Sequence, residues 1–94
     1  MIYETPLTVE ELVRLTKLRE MLSSGEAQRI RTKAGVSRGE AARACQVQEN
    51  TVMRWETGRK RPLTRRALGY LRLVEMLSEA MQEKHATSGV GFPD

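Results

Sequence analysis

Apolar residues recur along most of the chain at three- and four-residue intervals, the spacing that puts them on one side of a helix. Leu12, Leu15, Leu18 and Leu22 form a first stripe, broadened by Val9, Val13 and Met21. Thr8 with Glu11 three residues on is a capping box, so a helix is predicted from Thr8 to the break at Ser23-Ser24-Gly25-Glu26. That break offers another Ser-x-x-Glu start, hence a kink or a new helix. Ala27, Ile30 and Ala34 then share one face of a segment ending at Gly35. Ser37 with Glu40 predicts a further start. Ala41, Ala42 and Cys45 line one face of the helix it opens, all small enough to let another helix approach closely. Gln46-Val47-Gln48 reads as a tight turn with Val47 as its apolar plug. A short helix from about Glu49 to Thr57 turns Val52 and Trp55 inward, and Gly58 ends it. Thr64 is the expected cap of the last helix, which runs to about Lys84. Along it Leu63, Ala67, Tyr70, Val74, Leu77 and Met81 follow the alternating steps of a helix–helix seam.

The pattern predicts an all-α chain, a compact five-helix domain with an additional N-terminal helix and a long C-terminal helix. Residues 1–24 would supply an arm, Met1 to Pro6 with Tyr3, and a helix that either packs over the core or serves as a dimer or partner surface. Residues 25–84 would form the main domain, and 85–94 a mobile tail. Leu68, Leu71, Leu73, Met76 and Ala80 lie outside the last helix's seam, more apolar surface than a small core can cover. Such a surplus marks an interface. Leu73, Met76, Leu77 and Ala80 are the candidate contacts with a second copy, unless the N-terminal helix covers them and leaves a monomer.

Composition changes this picture chiefly through charge. Ninety-four residues make one domain, and an aromatic content of 4% leaves a core of Leu, Val, Met and Ala with Trp55 its largest piece. Residues 1–24 carry three basic and four acidic side chains, a net of −1. Residues 25–66 carry eleven and four, a net of +7, and residues 67–94 carry two and four, a net of −2. The positive charge therefore sits on and around the two short helices, the footprint of a nucleic-acid binder. The one cysteine, Cys45, allows no internal disulfide, and with His85 the only histidine there is no cluster at metal-ligand spacing. No catalytic constellation, metal site or cofactor motif is found, so a non-enzymatic chain is expected. No leader, lipidation pattern or membrane-length apolar run is seen, and a soluble, cytoplasmic protein is expected.

The second short helix leaves Gln48, Glu49, Asn50, Met53 and Arg54 facing out. Gln and Asn can bond adenine with two hydrogen bonds and Arg can do so to guanine, so this face suits base edges in a major groove. Arg59, Lys60 and Arg61 follow in a loop placed to lie along phosphates, and Arg65 and Arg66 in the next helix's first turn would do the same. Ser37 and Thr51 complete the expected phosphate contacts.

From Arg29 to Leu77 the chain resembles the helix-turn-helix domain of the Xre family, to which phage repressors and Cro proteins belong. The matching residues are Ile30-Arg31, Ala34-Gly35-Val36-Ser37, Ala42, Val47, Val52, Arg54-Trp55-Glu56 with Gly58, and Pro62. The resemblance implies an Arg31–Glu56 pair pinning the buttressing helix to the second motif helix. Two departures stand out. The family's large aliphatic residues in the first motif helix are Ala41 and Cys45 here, so the core must be filled from elsewhere. Its Gln or Asn after the capping Ser is Arg38, which suggests a contact to phosphate or guanine instead. The implied function is a regulator, as repressor, that binds double-stranded DNA as a homodimer on an inverted-repeat operator. The alternative is the antitoxin of a toxin–antitoxin pair, which represses its own operon and binds a toxin. A third is a DNA-binding protein without sequence preference.

Overall fold

Two capping boxes close as the sequence predicts, and they fix where two helices begin. The computed structural model describes residues 6–89, with side chains as far as residue 82. The chain forms α1 (Val9–Ser24), α2 (Glu26–Lys33), α3 (Arg38–Cys45), α4 (Glu49–Glu56) and α5 (Ala67–Gly89), with no strand among the described residues. Thr8 Oγ1 accepts the Glu11 N–H at 3.1 Å while Glu11 Oε1 accepts the Thr8 N–H at 2.9 Å. Ser37 and Glu40 repeat the exchange at 3.0 and 2.9 Å. The third box does not form. Ser23 remains inside α1, and α2 starts from Gly25, whose φ of 83° is left-handed. One glycine thus ends α1 and opens α2, in a conformation that costs it no Cβ clash. The expected arm lies outside the described residues apart from Pro6, as do residues 90–94 of the expected tail.

The last helix departs from expectation at both ends. The N–H groups of Ala67, Leu68 and Gly69 bond the carbonyls of Thr64, Arg65 and Arg66, three residues back, at 3.0, 2.9 and 3.1 Å. Thr64 to Arg66 therefore form a tight turn before α5, and the two arginines do not oppose its dipole from within a first turn. At the other end the helix continues to Gly89, so residues 85–89 are helical where a tail was expected.

The small residues of α3 decide how the core is filled. Ala41, Ala42 and Cys45 are buried, and α5 comes so close that a Cβ on Gly69 would stand 3.8 Å from the Cys45 Cα. Burial also pushes the Cys45 thiol pKa up, as for an inert core thiol. The missing volume is supplied by Leu15, Leu18 and Leu22 of α1, by Val52 and Trp55 of α4, and by Tyr70, Leu71 and Val74 of α5. Trp55 and Tyr70 pack with ring centroids 5.9 Å apart and planes tilted 48°. Leu71, outside the expected seam, is also fully buried. Leu63 is 60% exposed, and the seam's far residues Leu77 and Met81 are half-buried. On α1 the stripe is narrower than predicted, with Val9, Leu12 and Val13 exposed. Arg14 and Lys17 lock α1 to α5 through Glu75, at 2.6 and 2.9 Å.

The expected Arg31–Glu56 pair is present and is the centre of a larger cluster. Arg31 Nε and Nη2 donate to Glu56 Oε2 and Oε1 at 2.6 and 2.9 Å, a two-pronged grip. Arg31 Nη1 also donates to the Val36 carbonyl at 2.8 Å. Arg38 Nε adds a third bond to Oε1 at 2.9 Å, and the Tyr70 hydroxyl donates to Oε2. The Glu56 side chain is fully buried and that of Arg31 only 6% exposed. Burial alone would push the Glu56 pKa up, but the bonds from Arg31, Tyr70 and Arg38 together outweigh it and hold the carboxyl below its ordinary value. Burial, then the Glu56 bond, drive the Tyr70 pKa upward, and the carboxylate keeps Arg31 charged.

Two outcomes follow for stability. Truncating Leu18 to Ala should cost about 2–5 kcal/mol in urea unfolding, while Val9→Ala should stay within about 0.5 kcal/mol. Equal effects would mean that α1 is not part of the core. Because the folded Glu56 carboxyl titrates below the unfolded one, the folded state binds fewer protons over that interval. The stabilisation is full above the ordinary value of 4.5 and is lost as pH falls through the lowered folded value. Glu56→Gln should cost about 3–5 kcal/mol at neutral pH, leaving Arg31 buried without its anion, and should flatten the acid limb of stability against pH. An unchanged acid limb would assign the acid sensitivity to other carboxylates.

Candidate nucleic-acid interface

Two caps and a turn set the pose of the exposed surface. At the end of α3 Gln46 takes a left-handed conformation, φ 59° and ψ 42°, the one positive φ outside glycine among the described residues. Val47 N–H then bonds the Ala42 carbonyl at 3.0 Å, and the half-buried Val47 packs against the core as the predicted plug. Gln48 is extended at the N-cap of α4 and makes no side-chain capping bond, so its amide is free to bond elsewhere. At the other end Thr57 caps α4, Gly58 turns left-handed at φ 77°, and Arg59 and Lys60 N–H groups both bond the Arg54 carbonyl, at 2.9 and 3.1 Å. The basic loop is thus tied to the end of α4. Arg19 holds its far side by donating to the Pro62 carbonyl at 3.1 Å.

On this frame Val52 and Trp55 point inward, and Gln48, Glu49, Asn50 and Arg54 are exposed. Asn50 and Arg54 stand one turn apart on one face. Thr51 and Met53 are half-buried, and the Thr57 hydroxyl donates to the Met53 carbonyl at 2.8 Å with Met53 Sδ 3.7 Å away. Arg59, Lys60, Arg61 and Arg66 are exposed, and none of them has a carboxylate within ion-pair distance among the described residues. Between the turn and the loop lies a cleft of about 440 Å³, lined by Gln48, Thr51, Lys60, Arg61, Thr64 and Arg66 with Trp55 at its base. The Trp55 Nε1 itself is buried and bonds no described group, so its place there is set by ring packing.

Two expected DNA contacts are revised. Arg38 spends its Nε on Glu56 and is only 32% exposed on its side chain, so it belongs to the buried cluster and not to the base-reading face. Arg65 grips Glu11 at 2.6 and 2.9 Å and donates to the Pro6 carbonyl at 3.1 Å, which fastens the turn before α5 to α1. The Arg65 bonds, aided by the Thr8 backbone N–H, hold the Glu11 carboxyl down to about 2. Ser37 is exposed, but its hydroxyl already accepts the Glu40 N–H. That box also lowers the Glu40 pKa.

One pair of neighbours was not foreseen. A Cβ on Gly39 would stand 3.4 Å from Glu49 Oε1 and 3.6 Å from Arg43 Nη1. Glu49 therefore turns back over the start of α3, where the exposed Arg43 also reaches. The sequence does carry the signal, since Gly39 and Arg43 are four residues apart on one face of α3, but only the packed turn brings Glu49 to them.

Among the described residues no group of three or more His, Cys, Asp or Glu could hold a metal ion, and no helix is long and apolar enough to cross a membrane. No curated protein and no solved structure matches the chain. A model of a family described as a helix-turn-helix domain matches residues 24–82, which takes in α2 to α4, the basic loop and most of α5. Well over half of the chain is covered, and with α3, the Gln46–Gln48 turn and α4 in place, the chain belongs to the helix-turn-helix domain family, whose members bind DNA.

Proposed function

We propose that the chain is a sequence-specific regulator of transcription of Xre type, a repressor that binds an inverted-repeat operator as a homodimer through the major groove. The observation that carries this reading is the outer face of α4. Its amides and Arg54 have no side-chain partner among the described residues, and the helix beneath them is anchored by the buried Glu56 cluster. Gln48, Asn50, Met53 and Arg54 are the proposed base contacts, with Glu49 at the edge beside Arg43. Arg59, Lys60, Arg61 and Arg66 are the proposed phosphate contacts, with Thr51 lining the cleft between them and Ser37 at the start of α3. Phosphate bonds would set register, and base bonds would set sequence. Such a protein works in the cytoplasm, on nucleoid DNA.

A second reading has one observation in its favour. Val9, Leu12 and Val13 are exposed on α1, which lies before the stretch matched by the family. An antitoxin would use such a surface to hold a toxin while α4 represses the operon. Val9→Asp with Val13→Asp should then release a co-expressed toxin and leave DNA binding intact; unchanged neutralisation would remove this reading.

Binding measured across duplexes that differ by single base pairs tests the main proposal. Arg54→Ala or Asn50→Ala should each cost about 1–3 kcal/mol and relax preference at particular positions. Uniform weakening on every duplex would refute a base contact. Replacing Arg59, Lys60 and Arg61 together by Ala should weaken all duplexes alike. It should also flatten the slope of log affinity against log salt by up to about 2.7, at roughly 0.9 per phosphate contact. An unchanged slope would detach the loop from the phosphate backbone.

A further inference from the structure

The outward side of α5 carries a self-complementary pattern that the proposed DNA contacts do not use. Arg72, Met76, Glu79 and Ala80 are exposed there, with Leu73 and Leu77 half-buried along the edge. At 100° per residue they form one strip with Met76 near its middle. Arg72 and Glu79 make no ion pair among the described residues. Seven residues apart on one helix they are separated by about 10 Å along the axis, too far to pair with each other.

Resting on the reading of the chain as a homodimeric DNA binder, we propose that α5 packs antiparallel against α5 of a second copy. The two-fold axis passes beside Met76, and Arg72 of each copy pairs with Glu79 of the other. The register follows from helix geometry. At 1.5 Å per residue Arg72 lies about 6 Å along the axis from Met76, and the opposing Glu79 about 4.5 Å on the same side. Leu73 meets the opposing Ala80 by the same arithmetic. A parallel pair would instead set Arg72 against Arg72 and Glu79 against Glu79, like charges that oppose docking. The exposed face of α1 offers no comparable code. Its neighbouring cations Arg14, Lys17 and Arg19 are already bonded to Glu75 and to the Pro62 carbonyl.

Sedimentation of the full chain over a range of concentrations tests the pairing. Arg72→Glu and Glu79→Arg should each weaken self-association by roughly tenfold, since either change creates two like-charge contacts across the axis. The double reversal should restore it, and Met76→Asp should leave a monomer with unchanged helix content. A monomeric wild type, an association indifferent to Met76→Asp, or a double reversal no better than the single ones would overturn the proposal. Binding to duplexes from the same preparations separates it from the function on which it rests. A wild type that self-associates as described but binds no duplex would defeat the DNA reading alone. A monomer that still binds duplexes would defeat the α5 pairing and the homodimer with it, and would leave DNA binding standing.

Discussion

The buried carboxylate of Glu56 is the constraint on which the rest of the structure depends. An eight-residue helix is not stable by itself in water, so α4 holds its shape only through tertiary contacts. Val52 and Trp55 give it an apolar underside, but apolar contact alone is non-directional. Direction comes from Glu56, which is reached by Arg31 from α2, Arg38 from α3 and Tyr70 from α5. Burying that carboxylate without partners would cost several kcal/mol, and its grip by three helices compensates. The anchored end is the C-terminal one, and at the other end Gln48 and Asn50 are left exposed while Glu49 turns back towards α3.

The same economy divides the cations. Net charge marks residues 25–66 as a basic segment, yet Arg31, Arg38 and Arg65 are spent on carboxylates inside the fold. Of the eight left over, Arg43, Arg54, Arg59, Lys60, Arg61 and Arg66 lie on α3, α4 and the stretch that follows, and Arg29 and Lys33 lie on α2. The α1 helix, outside the matched stretch, takes part in this division. Its Glu11 captures Arg65, and its leucines fill the volume that Ala41, Ala42 and Cys45 leave open.

Much of this was legible in the sequence because it is local. Capping boxes at Thr8 and Ser37, the turn at Gln46 to Gln48 and the inward Val52 and Trp55 all depend on spacing within a few residues. The Arg31–Glu56 pair came from resemblance and not from spacing. The misreadings are non-local. Arg38 and Arg65 look like free cations until the fold brings Glu56 and Glu11 beside them, 18 and 54 residues away in the chain. Val9 and Val13 fit a helical stripe, but only the angle at which α1 crosses α5 decides which part of it is covered. The start of α5 was misplaced because Thr64 is a good cap by type, whereas the backbone enters through a tight turn.

The most direct test of the account is selection of bound duplexes from a random library at near-physiological salt, followed by sequencing. The account predicts an enriched inverted repeat with half-sites about one helical turn, ~34 Å, apart, each read by one copy of α4. Recovery of duplexes with no common sequence would contradict it, since a face anchored so firmly and left so free of internal partners would then be reading nothing.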